Sequence, residues 1–154
     1  MNSDSAHIEL INQVKKIVEN IDVFSINKHE AKSLFGESDL EVIMKRLKEW
    51  NINTVFLRVG SEGAYLITKK NTVKVSSVKN VKVVDVTGGG NSSSAGVLIG
   101  YCENRSLVEM GLMGSISAAI CIEQEGTTAK FDQSTRKSEE ELLQKMMEKV
   151  NGDD

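Results

Sequence analysis

Three consecutive glycines, Gly88-Gly89-Gly90, separate a valine-rich run ending at Asp85 from a stretch of small residues, Ser92 to Gly96, that reads as helix. This junction limits the fold more than any other stretch. Glycines carry no Cβ, so successive backbone amides can face one point. A helix starting there adds its own unpaired N–H groups and the positive end of its dipole. The segment Asp85-Val86-Thr87-Gly88-Gly89-Gly90-Asn91 is therefore a candidate anion site. No Lys follows the glycines, so it is not a P-loop. A dinucleotide G-x-G-x-x-G loop counted from Gly88 would need glycine where Ser93 stands. On composition alone, a glycine-rich turn without a ligand is the competing reading.

Hydrophobic periodicity places this junction among helices and strands. Ile8, Ile11, Val14, Ile17 and Ile21 recur at helical spacing and predict a helix with that stripe in the core. Asp22 to Ile26 predicts a short strand. Asn27-Lys28-His29-Glu30 opens a second helix that stops near Gly36, and Asn27 with Glu30 has the pattern of a capping box. Ser38-Asp39-Leu40-Glu41 predicts another box and a third helix, with Leu40, Ile43, Leu47 and Trp50 inward. The period then changes. Thr54 to Val59, Ala64 to Thr68 and Thr72 to Ser76 predict a β-meander, turning at Gly60–Gly63 and Lys69–Asn71, with Val81 to Val84 as a further short strand. Beyond the glycines, a small-residue helix runs to about Cys102, and Ser106-Leu107-Val108-Glu109 opens one that runs to about Ile122. Gly126 to Lys137 reads as a polar loop. Ser138 to Glu141 caps a last amphipathic helix carrying Leu142, Leu143, Met146, Met147 and Val150. Alternating strands and helices argue for α/β layers, and 154 residues for one domain or part of one.

Composition excludes several classes. Hydrophobic residues make up 40% and charged residues 27%, enough to bury a core. No apolar run approaches the roughly 18 residues of a membrane span. The start, MNSDSAHIEL, has neither a basic n-region nor an apolar h-region, which leads us to expect a cytoplasmic chain. A net charge of -3 and 5% aromatic residues argue against nucleic-acid binding. Cys102 and Cys121 form no CxxC pair and, with only His7 and His29, no zinc site. They read as buried or half-buried thiols in a reducing compartment.

The motif DVTGGGNSSSAG resembles the C-terminal signature of the ribokinase/PfkB-type carbohydrate kinases, D-x-x-G-(A/G)-G-D followed by a small-residue helix. Three further stretches are similar to that family in the same order: INKHEAKSLFG to its N-x-x-E element, FLRVGSEGAYLIT to a strand–turn–strand near the ATP phosphates, and SISAAICIEQEG to the helix and loop beside adenine. The resemblance implies a ribokinase-like α/β fold with Rossmann-like α/β/α layers. Residues 1–154 would then be the C-terminal, nucleotide-binding half of a single PfkB-type domain, lacking the N-terminal substrate and lid half. It further implies ATP and Mg²⁺ as cofactors and a sugar-like small molecule as acceptor. Gly88, Gly89 and Gly90 would form the anion hole for the transferred phosphoryl group. Asn27 and Glu30 would face Mg²⁺, with Glu30 acting through water. Arg58, Gly60, Gly63 and Gly126 would border the nucleotide, and Asp85 and Thr87 would match the K⁺ site of some members.

Two departures from the family pattern matter. The family's catalytic base is the Asp that ends G-x-G-D, and this chain has Asn91 there. A neutral amide can hydrogen-bond a hydroxyl but is no useful base at pH 7. Asp85, the nearest other carboxylate in sequence, sits six residues away at a strand end and is not assigned the role. The resemblance also begins in the middle of a complete member. Half a parallel sheet leaves an open edge and uncovered apolar surface, so self-association or a missing N-terminal half is expected as partner.

Overall fold

A computed structural model describes residues 3–126 and 132–152. The elements are α1 (Ser3–Val18), β1 (Val23–Asn27), α2 (Lys28–Phe35), α3 (Leu40–Glu49), β2 (Thr54–Arg58), β3 (Ala64–Ile67), β4 (Thr72–Val75), α4 (Gly89–Cys102), α5 (Leu107–Ile122) and α6 (Gln133–Gly152). The four strands form one sheet in the order β1-β2-β3-β4. β1 and β2 are parallel, with Val23 opposite Thr54 and Asn27 opposite Arg58. That pairing needs a crossover, which α2 and α3 supply. The connections at residues 59–63 and 68–71 are too short for a parallel return, so β2, β3 and β4 form the meander expected from sequence.

The chain divides into two compact units. The first comprises Met1–Gly60 and Tyr65–Val73, the second Ser61–Ala64 and Lys74–Asp154. The first unit contains one apolar cluster of Val18, Ile26, Phe35, Ile43, Leu47, Trp50, Val55, Leu57 and Ile67, among others. Trp50 closes α3, donating its backbone N–H to Leu47 O, and its ring meets Phe35 edge-on with centroids 5.0 Å apart. Arg46 locks this corner by lying over the Phe35 ring and donating Nη1–H to Phe35 O at 3.2 Å. In the second unit, α4 and α5 pack through glycine. A Cβ on Gly96 would lie 2.6 Å from Met113 O and from Ser117 Oγ.

Several expectations are corrected. The first helix buries Val18 and packs Ile11 and Val14 against the core, while Ile8 and Ile17 face solvent. At about 100° per residue, positions 11, 14 and 18 share one face, from which 8 and 17 diverge. Ser38 does not cap α3. Asp39 does, accepting from Glu41 and Val42 N–H. The Glu37 carboxylate takes the Ser38 and Asp39 N–H groups at 2.7 and 2.9 Å, and these bonds hold its pKa below the usual carboxylate value. Val81 to Val84 is no strand but an irregular segment, with Val83 and Val84 more than half exposed. Its backbone turns to the end of α5 instead of a neighbouring strand, since Val84 and Asp85 both donate N–H to Ile122 O. The polar loop is shorter than expected. Its residues 127–131 lie outside the described residues, and α6 already begins at Gln133. Asp132 sets that start by accepting Ser134 Oγ–H and Thr135 N–H, while Ser138 lies inside the helix and bonds back to Ser134 O. Of the thiols, Cys121 is buried but Cys102 is exposed.

Candidate functional site

The glycine junction is the start of α4. Gly88 is its N-cap, in the left-handed region at φ 84°, and Gly89, Gly90 and Asn91 form the first turn. No side chain caps this end. The contrast with α2, α3 and α5 is direct, because Asn27, Asp39 and Ser106 close those N-termini. Gly89 N–H is taken by Val86 O at 3.2 Å, so this start without a side-chain cap leaves the amides of Gly90 and Asn91 for solvent or an anion. Both glycines also sit tightly. A Cβ at Gly88 would lie 3.3 Å from Cys121 Sγ, and one at Gly89 would lie 2.8 Å from Ile122 Cγ2. Cys121 thus supports the turn from beneath and donates a weak Sγ–H bond to Thr87 O at 3.6 Å. Sequence reasoning missed that role, and no spacing signals it.

Asp85, Thr87 and Gly126 come together in the second unit. Asp85 Oδ1 accepts Thr87 N–H at 2.9 Å. That bond, then the Thr87 hydroxyl and more weakly the Gly126 N–H, holds the Asp85 carboxyl below its usual range. Asp85 is therefore an ionised acceptor pinned in a turn, which suits a cation ligand better than a base. Asn91 is exposed in the first turn of α4.

Asn27, Glu30 and Arg58 come together in the first unit, at the C-terminal ends of the parallel strands. Open α/β sheets place ligands at such ends. Asn27 and Glu30 form a full capping box: Glu30 N–H donates to Asn27 Oδ1 at 2.9 Å, and Asn27 N–H donates to Glu30 Oε2 at 2.7 Å. Arg58 Nη2 stands 3.7 Å from the same Oε2. A carboxylate that caps and still stands 55% exposed fits a Mg²⁺ ion held through water, since Mg²⁺ keeps several waters and takes its other oxygens from phosphate. Among the described residues no group of three or more His, Cys, Asp or Glu could hold a metal directly. Gly60 opens a 3-10 turn, Gly60–Glu62, and Gly63 ends it at φ 100°. A Cβ on Gly63 would fall 2.0 Å from Val75 O, so only glycine fits there.

The profile of the pfkB family carbohydrate kinases matches residues 2–134. An uncharacterized sugar kinase of Archaeoglobus fulgidus is 36% identical over 116 residues, covering 75% of this chain and 46% of that protein. The crystal structure of a probable sugar kinase from Rhizobium etli superposes with a TM-score of 0.77 at 24% identity, over 88% of this chain and 41% of that one. Arabidopsis thaliana ribokinase, solved with ribose and ATP, gives a TM-score of 0.70 at 23% identity, over 91% of this chain and 52% of that one. The fold is ribokinase-like α/β. The chain belongs to the pfkB family of carbohydrate kinases, and it spans less than half the length of its Archaeoglobus relative. Among the described residues no helix is long and apolar enough to cross a membrane.

Proposed function

We propose that this chain is the ATP-binding portion of a cytoplasmic kinase that transfers the γ-phosphate to a hydroxyl of a sugar or nucleoside. The uncapped start of α4 at Gly88–Gly90 carries this reading. Its amides stabilise the charge spread over the transferring phosphoryl group, and such stabilisation is most of what catalysis of this transfer requires. Asn27 and Glu30 would hold Mg²⁺ through water, and the ion would supply charge neutralisation at the phosphates. Arg58, Gly60, Gly63 and Gly126 border the nucleotide, and Asp85 with Thr87 offers oxygen to K⁺. Asn91 positions the acceptor hydroxyl without taking its proton, and losing general-base help costs about 10²–10⁴-fold in rate.

Asn91 also supports a second reading, a lapsed kinase-like protein that binds nucleotide or a partner without turnover. Val83, Val84 and Val86, 52–72% exposed beside the glycine turn, make a partner part of either reading, whether a second copy or a missing N-terminal half. Titration calorimetry of Mg·ATP into the chain tests the main proposal. Binding that is lost in Gly89→Val, with circular dichroism unchanged, is the expected result. No binding by a well-folded chain would defeat the ATP reading. In a full-length protein completed with the N-terminal half of a relative, Asn91→Asp is expected to raise turnover. No gain there favours the lapsed reading.

A further inference from the structure

Arg58 and Glu30 form an ion pair at the strand ends, and its geometry is lopsided. The Arg58 side chain is 21% exposed, while that of Glu30 is 55% exposed. The contact of 3.7 Å is too long for a hydrogen bond. Arg58 Nε is buried and has no hydrogen-bond partner among the described residues. Glu30 Oε2 already accepts the Asn27 N–H. A five-donor fork is therefore held in place by charge, with its hydrogen-bonding capacity little used.

We propose that Arg58 is a shared cation. It neutralises Glu30 in the nucleotide-free chain and passes to the nucleotide's phosphate oxygens when a divalent cation takes over the Glu30 charge. The proposal rests on the reading of Glu30 as the metal-facing carboxylate. No bond is made or broken; one ion pair replaces another. Without metal, Glu30 retains the guanidinium and nucleotide meets an engaged cation. With metal, the carboxylate is satisfied and the fork turns to phosphate, where its planar donors match two oxygens. The pair thus couples nucleotide affinity to the divalent ion through Arg58, in addition to chelation of the ion by the nucleotide itself.

The test is titration calorimetry of ADP, in excess EDTA and in Mg²⁺, into the chain and its Glu30→Gln, Arg58→Gln and doubly substituted forms. Gln at the third helical position preserves the capping box, so Glu30→Gln isolates the charge. In EDTA, Glu30→Gln is expected to tighten ADP binding about three- to five-fold, the scale of a partly exposed ion pair. That gain should vanish when Arg58 is also Gln. In Mg²⁺ the same substitution should weaken binding, so its effect changes sign with the metal. An equal gain in both backgrounds would mean that Glu30 merely repels phosphate. It would overturn the exchange and leave the nucleotide site standing. If Arg58→Gln fails to fold, Arg58→Lys provides the second background. Lysine keeps the charge without the fork, so the gain there should fall below about two-fold, and an undiminished gain overturns the exchange. ADP binding by none of the folded proteins would overturn both the exchange and the nucleotide site.

Discussion

The two compact units bury their interiors by opposite means. The first relies on bulk: Ile43, Leu47, Val55 and Leu57 are almost wholly buried in one apolar cluster. The second also buries Val97, Leu112 and Ile116, but its helices pair through absence of bulk. Gly96 lets α4 approach the Met113 carbonyl of α5, and Gly100 lies where a Cβ would sit 3.1 Å from Met110 Cα. The candidate site residues follow the same division. In the first unit they are side chains at strand ends, Asn27, Glu30 and Arg58. In the second they are mainly backbone amides at the start of a helix whose C-terminal part is fixed by close backbone approach. Side chains can be retuned one at a time, whereas a backbone site moves only if its helix moves.

The largest test of this contrast is Leu47→Ala. The side chain is fully buried, and large-to-small changes of this kind cost about 2–5 kcal/mol. Urea unfolding should show a loss of about 3 kcal/mol. Hydrogen exchange should place the lost protection mainly in α1, α2, α3 and their strands. A loss below about 1 kcal/mol would mean that the first unit does not depend on bulk.

Gly96→Ala tests the opposite principle, with a smaller expected effect. Helix propensity alone favours alanine by about 1 kcal/mol. The added Cβ would meet a backbone carbonyl at 2.6 Å, which a rotamer change cannot relieve. Overpacking of this kind costs about 1–3 kcal/mol, so after the propensity gain is subtracted a net loss of up to about 2 kcal/mol is expected from the same unfolding measurement. Stabilisation would show that α4 and α5 have room to separate, and the contrast between the units would fail.

The fold was legible in sequence where one residue type has one physical use. The period change near Thr54, the capping boxes at Asn27 and Ser106, and the glycine junction are all local signals, and the structure shows each of them. It was less legible where tertiary partners decide. Val81 to Val84 has strand composition, yet its backbone bonds run to Ile122 O, because β-propensity reports fit to a sheet that must first be there. Ile8 and Ile17 fit a loose helical spacing, but the core takes only the narrower face of Ile11, Val14 and Val18. The S-x-x-E pattern at Ser38 was misleading because Asp39 and Glu37 serve the same amides better. Candidate site residues were named from the resemblance to the family's motifs. The Glu30–Arg58 pair and the support from Cys121 were not, because contacts between residues 28 and 34 positions apart leave no local pattern.

The smallest expected effect compares the two capping boxes, one in each unit. In the second unit, Ser106 Oγ–H donates to Glu109 Oε2 at 2.7 Å and accepts Glu109 N–H at 3.2 Å. The hydroxyl bond, then the Ser106 N–H and Arg105, hold the Glu109 carboxyl below its usual pKa. A carboxylate depressed in the folded state adds stability that is fully present above its unfolded pKa of about 4.3 and is lost as pH falls through the folded value. Ser106→Ala should cost about 1 kcal/mol at pH 7. The gap between wild type and variant should narrow on acidification below about pH 4, because protonated Glu109 no longer needs the hydroxyl. It should not close, since the Glu109 N–H loses its acceptor at every pH. A gap equal at pH 3 and pH 7 would mean that the hydroxyl serves the helix backbone alone. Asn27→Ala in the first unit should cost a similar amount at pH 7, about 1 kcal/mol. An added loss there would show that the cap also holds Glu30 in place for Arg58, so that the two units differ in what their helix starts are for.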